Sequence, residues 1–391
     1  MKKNNIYKLN AVITFSLIIL LVLVDWISVA DNEVNNIFSR IVRILIIVQT
    51  SLITINFYLK KPNLKFHFAR PLKLLLFVYL ISVLLSDEIS SHLYTSSKLI
   101  LWVISAFYFN ILFAKNVISY KLFSRFIFSV AIIMALLNIF VRLNVDELTG
   151  INAYTYTLVW TMPALYCLRK STMWYVVFTL ILLSILYSIK RGAIISLAVC
   201  IIFYYLNNFF LTKNPKIIIR LFFVGVFFGL ISYFSYLKNQ DSFEQRFSDL
   251  SGSGRTTLYV KIFNQWLESE DLSVYFFGNG VSSVQKFTKT FFRDSRGIHS
   301  HSDFLQFLFD FGILGIFLII YLYKYMFSLI KKGNLVKSPY SSILSMSFGI
   351  LLCVNIFSGQ LIYANHMIYF SMILALTSNK ISKAYSNVRD I

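Results

Sequence analysis

Basic residues stand at two places where a very apolar sequence is interrupted. Lys190 and Arg191 are adjacent in SIKRGAII (188–195), between two apolar runs with almost no loop. Arg255 ends SGSGR (251–255), where two glycines precede it at the start of a helical pattern. A guanidinium group can donate two parallel hydrogen bonds to the oxygens of one phosphate. The backbone N–H groups of a glycine-rich turn bind the same anions. Phosphate binding is therefore one hypothesis for SGSGR, but Ser-Gly runs are common flexible turns, and that segment alone is a weak signal.

The segment GIHSHSDFLQFLFDFGILG (297–315) supplies a group that could accept a proton. Ser300 followed by Asp303, directly before an apolar run, is typical of a capping box. We therefore expect His301 in the first helical turn, where the helix dipole keeps its ring neutral and able to act as a general base. A polar residue in an ordinary helix start is the alternative. His299 and Asp303 are secondary candidates, and because the three side chains would not share a helix face we predict no metal site.

The composition is that of a membrane protein. Of 391 residues, 57% are hydrophobic and 14% are charged, and the mean hydropathy is +0.69. Apolar runs of roughly 20 residues recur, and each can cross a hydrocarbon core about 30 Å thick, where only a helix satisfies its own backbone. The net charge of +20 is scattered over short loops, which argues against nucleic acid as a partner. The three cysteines lie inside apolar runs and indicate neither a disulfide nor a zinc site.

We predict an all-α integral membrane protein with about twelve transmembrane helices and one large extracytoplasmic loop. The domains are residues 1–237 with nine helices, the loop 238–302 with an amphipathic helix, and residues 303–391 with three helices. The expected spans are 9–30, 38–59, 71–87, 97–114, 122–142, 154–168, 172–189, 192–211, 217–237, 303–330, 340–358 and 361–378.

The charges of the loops predict which side each one faces. Loops such as the one with Lys60 and Lys61 are basic, whereas alternate loops, such as the one with Asp31 and Glu33, are acidic. Basic loops stay in the cytoplasm, so we predict that both termini are cytoplasmic and that the first span is an uncleaved anchor rather than a cleaved signal peptide. By this count Lys190 and Arg191 face outward. A miscounted span or a snorkelling pair is the alternative to an anion site there.

The long outward loop contains RTTLYVKIFNQWLE (255–268). Leu258, Ile262 and Trp266 recur in it at helical spacing. This pattern predicts a short helix lying on the outer face of the membrane.

Together these features resemble the O-antigen ligase and O-antigen polymerase (Wzy-like) superfamily of bacterial polysaccharide enzymes. Its members have a basic turn between mid-chain spans, a Gly-Arg pair early in a late outer loop, and a His-Asn-x-x-Leu-Gln motif that leads into Gly-x-x-Gly. The counterparts here are Lys190-Arg191-Gly192, Gly254-Arg255, Gly278-Asn279-Gly280, His301 to Gln306, and Gly312 with Gly315. The departures are Lys190 in place of Ser, Ser302 in place of Asn, and Asp310 in place of a common Glu.

The resemblance implies a GT-C-like fold and a metal-independent glycosyltransferase of the bacterial cytoplasmic membrane that needs no cofactor. Its donor would be a polyprenyl-pyrophosphate-linked oligosaccharide within the membrane lipid, and its partners would include a flippase and a chain-length regulator. Arg191, Arg255 and Lys190 would bind the pyrophosphate, and His301 would be the general base.

The preferred function is a polymerase of lipid-linked repeat units, for O-antigen or capsule, and three alternatives to it remain open. The nearest alternative is a ligase that moves finished glycan to another acceptor. A transporter of the same lipid-linked sugar is less favoured, because transporters build midplane sites from broken helices and ionisable residues. A structural scaffold would leave the outward arginines and histidine without a role.

Overall fold

A computed structural model describes residues 2–30, 37–60, 64–82, 89–144, 153–169, 171–188, 190–238, 255–291, 297–361 and 365–389. Within these ranges the chain forms helices and no strands. The helices are α1 (Lys2–Ala30), α2 (Ile37–Lys60), α3 (Ala69–Ile81), α4 (Ile89–Ala114), α5 (Tyr120–Asn144), α6 (Ala153–Tyr166), α7 (Met173–Tyr187), α8 (Arg191–Thr212), α9 (Lys216–Lys238), α10 (Arg255–Leu267), α11 (Leu272–Phe277), α12 (Ser283–Phe291), α13 (Asp303–Leu335), α14 (Tyr340–Phe357) and α15 (Met367–Arg389).

The prediction of an all-helical integral membrane protein is confirmed. In the described part of the chain, seven helices are long and apolar enough to cross a membrane: α1, α2, α4, α5, α8, α13 and α14. Each of the expected spans overlaps a helix, but the total number of crossings stays a prediction. Large apolar side chains on the outside of the bundle, such as Phe222 and Phe223 of α9, are 66% and 64% exposed. Exposed apolar surface of this extent indicates a lipid environment.

The centre of the bundle is formed by α4, α14 and α15. Helix α14 packs against α8 and α13, and α15 packs against α4. Trp102, Trp160 and Phe370 meet here with no exposed surface, and the ring centroids of Trp160 and Phe370 are 5.0 Å apart. Aromatic pairs at this distance contribute about 0.5–1.5 kcal/mol beyond the burial of their area. The centre therefore provides a rigid frame for the segments that join these helices.

Helix α13 is interrupted at Gly312, and a neighbouring loop repairs the interruption. Gly312 has φ +62° and ψ −153°, a conformation that side chains rarely adopt. The carbonyl oxygens of Phe309 and Asp310 instead accept hydrogen bonds from the backbone N–H groups of Asn279 and Gly280, at 2.9 and 3.0 Å. The two glycine motifs of the sequence thus meet at one junction, which fixes the segment between α11 and α12 against α13.

Helices α10 to α12 form a small apolar cluster of their own. Leu258, Ile262 and Trp266 are buried, as their spacing predicts, and they pack with Val284 and Phe309. This stripe packs against α12 and α13, so apolar contacts attach α10 to the N-terminal part of α13. That α10 lies on the outer face of the membrane stays a prediction.

Candidate functional site

Several basic side chains that are far apart in the sequence lie within electrostatic range of one another. One end of the bundle carries six basic side chains that we call the basic end: Lys98, Lys190, Arg255, His299, His301 and His366. They come from α4, from the corner between α7 and α8, from α10, and from the segments before α13 and α15. The structure thus brings together four of the sequence-predicted residues with two others.

Lys190 is the N-cap of α8, and its ammonium group lies 4.7 Å from the centre of the Tyr156 ring. A Cβ atom on Gly192 would lie 2.4 Å from the Tyr156 hydroxyl oxygen, so only glycine permits this approach of α8 to α6. Burial, and then the charge of Arg255, lower the pKa of Lys190 to about 7. Arg191 is the first residue of α8; its side chain lies outside the described part of the structure.

Arg255 is the first residue of α10 and reaches the end of α14. Its Nη1 donates a hydrogen bond to the carbonyl oxygen of Phe357 at 3.1 Å. Four residues later, the hydroxyl of Tyr259 donates to the carbonyl oxygens of His301, at 3.1 Å, and Ile356, at 3.3 Å. The first turn of α10 therefore holds Arg255 beside the His301 backbone. The glycine turn before it, residues 251–254, lies outside the described residues.

His301 precedes α13 and is not in its first turn, which corrects the capping-box prediction. The N-cap is Ser302, whose hydroxyl oxygen accepts from the N–H of Leu305 at 3.5 Å and whose carbonyl accepts from Gln306 at 2.9 Å. His301 itself has φ +55°, a left-handed conformation that is uncommon for a non-glycine residue. Such strain is found where a structure holds a residue for function.

A chain of hydrogen bonds holds the turn that carries His301. The backbone N–H of Ser300 donates to the Gln306 side-chain oxygen at 3.2 Å, and the amide nitrogen of Gln306 donates to the Asp310 carboxylate at 2.7 Å. On the other side, the Ser302 hydroxyl donates to the carbonyl of Asn355 at 3.0 Å. The Leu-Gln pair of the sequence motif therefore positions the histidine, and Gln306 does so through its amide.

The electrostatic environment keeps the His301 ring neutral. Burial, and then the charges of Arg255 and Lys190, lower its pKa to about 4. A ring with this pKa is unprotonated at neutral pH and can accept a proton. An anion bound beside Arg255 and Lys190 would offset their charges, and the pKa would then move back towards a value suited to a general base.

His299 is also half-buried, but its ring contacts the side chain of Gln285 on α12. Burial, and then the charges of Lys98 and His301, lower the pKa of His299 to about 3. Its contact with Gln285 directs it towards α12, which makes it a weaker candidate for proton transfer than His301.

Asp303 is fully buried and organises the backbone. Its carboxylate accepts hydrogen bonds from the N–H groups of Gln360 at 2.9 Å and Leu361 at 3.1 Å. In this way the first residue of α13 holds the turn that follows α14. Asp303 therefore positions the backbone of the site, and its carboxylate is not available to bind a metal ion together with the histidines.

Two members of the basic end were not found from the sequence. His366 precedes α15, and its Nε2 lies 2.9 Å from the side-chain oxygen of Gln360, which also accepts from Trp160 at 2.8 Å. Burial, and then Lys190 and Lys98, lower the pKa of His366 to about 3. Neither His366 nor Lys98 belongs to the motifs, and only the predicted location of their segments on the same side could have indicated them.

Asp303, Gln360 and His366 form a continuous connection beneath the basic end. The backbone N–H of Gln360 is held by Asp303, and its side-chain oxygen faces the Nε2 of His366. An amide oxygen can only accept a hydrogen bond, so it fixes the proton of His366 on Nε2 and leaves Nδ1 as an acceptor. In the described ranges no group of three His, Cys, Asp or Glu side chains could hold a metal ion.

Residues 176–320 match the family model described as O-antigen ligase. The matched segment runs from α7 to the middle of α13 and includes Lys190, Arg255, His299 and His301. It confirms the resemblance drawn from the sequence motifs. Members of this family are glycosyl-transferring enzymes of polysaccharide assembly, so the match supports a function of the O-antigen ligase or polymerase type. No curated protein matches the chain significantly.

Proposed function

We propose that this protein polymerises polyprenyl-pyrophosphate-linked oligosaccharide repeat units, for O-antigen or capsule, at the outer face of the bacterial cytoplasmic membrane. The observation that carries the proposal is the convergence of Lys190, Arg255 and His301 from three separated segments. The charges acting on Lys190 and His301 are cationic. Like charges held together in a partly buried place favour an anion as the ligand.

The protein must stabilise the leaving group and accept a proton from the acceptor hydroxyl. A hydroxyl group of the acceptor glycan attacks C1 of the donor sugar, the bond from C1 to the pyrophosphate oxygen breaks, and the lipid pyrophosphate leaves with both bonding electrons. Lys190, Arg191 and Arg255 stabilise the negative charge that develops on the leaving group. His301 accepts the proton of the attacking hydroxyl.

The remaining residues of the site position these groups. Tyr259 and Gln306 hold the backbone on either side of His301, and Asp303 holds the turn below. The donor already carries lipid pyrophosphate as its leaving group, so the reaction needs no nucleotide sugar. The basic side chains supply the positive charge that a metal would otherwise provide. We therefore expect activity without a cofactor or a metal, and we expect a flippase to supply the donor and a chain-length regulator to limit the product.

The test is a reconstituted assay with the purified chain in proteoliposomes and a synthetic repeat unit on polyprenyl pyrophosphate. A ladder of products that grow by whole repeat units, with release of free lipid pyrophosphate, is the expected result. Growth only when a second glycolipid acceptor is added would assign the ligase reaction instead. Movement of the unit across the bilayer with no product would assign transport. EDTA should leave the ladder unchanged.

A further inference from the structure

Two cavities adjoin at the end of the bundle opposite the basic end. One, of about 720 Å³, is lined by Arg169 and Ser171 of the turn between α6 and α7, by Tyr204 of α8 and by Tyr340 of α14. The other, of about 470 Å³, is an apolar groove between α7, α8 and α9. Tyr166 lines both. Pockets for small molecules have volumes in this range, about 300–1,000 Å³.

Arg169, an exposed residue, lines the polar cavity. The Arg169 guanidinium donates a hydrogen bond to the Tyr204 hydroxyl, and its carbon lies 5.8 Å from the centre of that ring. A guanidinium has five N–H donors, and Tyr204 is its only hydrogen-bond partner among the described residues. Tyr205 lines the apolar groove, and Arg169 and Arg220 of α9 both act electrostatically on it, so two positive charges lie near that groove.

The apolar groove contains a hydrogen-bond donor, the indole N–H of Trp174, that lacks an acceptor among the described residues. Trp174 stacks on Phe178, with ring centroids 4.7 Å apart, and contacts Tyr166 edge to face at 5.5 Å. Its indole Nε1 is shielded from solvent and has no acceptor in the described part of the chain. Buried indole N–H groups normally have a partner. Leu182 and Phe223 continue the groove towards the middle of the bundle.

We propose that these two cavities form a binding site for one anionic phospholipid, separate from the basic end. Its phosphate would lie at Arg169 and Arg220, an ester oxygen would accept from Trp174, and an acyl chain would lie along Phe178, Leu182 and Phe223. Charge complementarity and the adjacent apolar groove together favour a lipid over a free anion. The charges of the loops predict that this end is cytoplasmic, and on that side of a membrane anionic headgroups bind to basic pockets between helices.

The experiment is a lipid titration of the delipidated full-length chain in a neutral detergent, followed by native mass spectrometry. Phosphatidylglycerol is compared with phosphatidylcholine of identical acyl chains. We expect one site at which phosphatidylglycerol binds about tenfold more tightly, a difference of about 1.4 kcal/mol. Both lipids carry the phosphate, but phosphatidylcholine adds a quaternary ammonium group that the two arginines repel. Glycerol phosphate, which has no chains, should not compete at equal concentration. Equal binding of the two lipids, or effective competition by glycerol phosphate, would overturn the proposal.

Variants identify the site. Arg169→Gln should remove the preference for phosphatidylglycerol, and Arg220→Gln should reduce it severalfold. Trp174→Phe keeps an aromatic ring but loses the N–H donor, so it should weaken the binding of both lipids by the same factor. Lys383→Gln changes an exposed basic residue near the end of α15, outside both cavities, and should bind like the original protein.

Arg169 and Arg220 are both exposed, so both glutamine variants should fold, and the melting temperature of each lipid-free variant checks this. Unchanged selectivity in a folded Arg220→Gln and Trp174→Phe double variant would refute the site.

Discussion

The two ends of the helical bundle hold their polar groups in opposite ways. At the end opposite the basic end, which we call the amide end, Asn207 donates to the side-chain oxygens of Asn334, Ser341 and Ser342, each at 3.1 Å, and Asn334 returns a bond at 2.9 Å. These groups are neutral, and each donor has an acceptor. Such a network stabilises helix packing and has no charge that a ligand must neutralise.

The basic end has the opposite character. The pKa values of Lys190, His299, His301 and His366 are all lowered, first by burial and then by neighbouring cations. The two buried carboxylates nearby, Asp303 and Asp310, accept from backbone and amide N–H groups. Perturbed groups of this kind concentrate at functional sites. The difference indicates that the Asn207 network serves helix packing, whereas the basic end serves binding and chemistry.

The largest expected effect concerns topology, because the comparison requires the two ends to lie on opposite sides of the membrane. In a functional variant without Cys167, Cys200 and Cys353, a cysteine at Ser188 should react with an impermeant thiol reagent outside spheroplasts. A cysteine at Thr212, the other end of α8, should react only after permeabilisation. Gly192 is unsuitable for this test because its Cβ would clash with Tyr156. The reverse labelling pattern would place the basic end in the cytoplasm and contradict the proposed reaction.

Removal of the general base should have the largest effect on catalysis. We expect His301→Ala to lower the rate of chain growth by roughly 10²–10⁴-fold, the usual contribution of a positioned base, while donor binding persists. His299→Ala should be much milder. The matched control is His67→Ala, which changes a histidine at the amide end whose Nε2 lies 3.0 Å from the carbonyl of Tyr325. Normal polymer from His301→Ala, with loss in His299→Ala or His366→Ala, would assign the base to another histidine.

Loss of a pyrophosphate contact should have the next largest effect. Arg255→Ala should lower activity by about one to two decades, because a hydrogen bond to a charged group contributes about 1.5–3 kcal/mol. We expect the same of Arg191→Ala. Arg255→Lys should recover part of the loss, since it restores the charge without the paired donors. Arg125→Ala, an exposed arginine in α5, is the control, and full activity in both alanine variants at normal protein levels would exclude the role.

Lys190 should make anion binding depend on pH. Its pKa of about 7 in the ligand-free protein means that it carries its charge below pH 7 and loses it above. A bound anion favours the charged form, so the affinity for pyrophosphate should be higher at pH 6 than at pH 9 by severalfold. Calorimetric titration of inorganic pyrophosphate measures this. Lys190→Met should bind more weakly at pH 6 and show little of the dependence; a dependence that survives unchanged would assign the titration to another group.

The smallest effect on catalysis should come from the amide end. Asn207→Ala leaves the buried partners Asn334 and Ser341 without a donor, which costs about 1–3 kcal/mol, so the melting temperature should fall by a few degrees. Activity per folded molecule should not change, because no group at the basic end is touched. A selective loss of turnover with normal melting would show that the two ends are coupled.

Much of this arrangement could be predicted from the sequence. The apolar runs predict the helices because backbone groups in lipid must bond within their own segment. The residues of α10 at 258, 262 and 266 are buried as their spacing requires. Lys190, Arg255 and His301 were selected from their residue types and from the resemblance. The start of α13 was misplaced by two residues, because Ser300 and Ser302 are equally good capping residues in the sequence and only their partners distinguish them.

The rest depended on which helices become neighbours. Amphipathic spacing shows that α10 has an apolar face, but the same face could meet lipid or protein, and the position of α13 decided for protein. His366 and Lys98 are isolated polar residues in the sequence, far from the motifs. They join the basic end because α15 packs against α4 and the turn after α14 is held by Asp303. Helix formation is a local property that the sequence alone determines, whereas a site built from five distant segments exists only once tertiary packing has brought them to one end of the bundle.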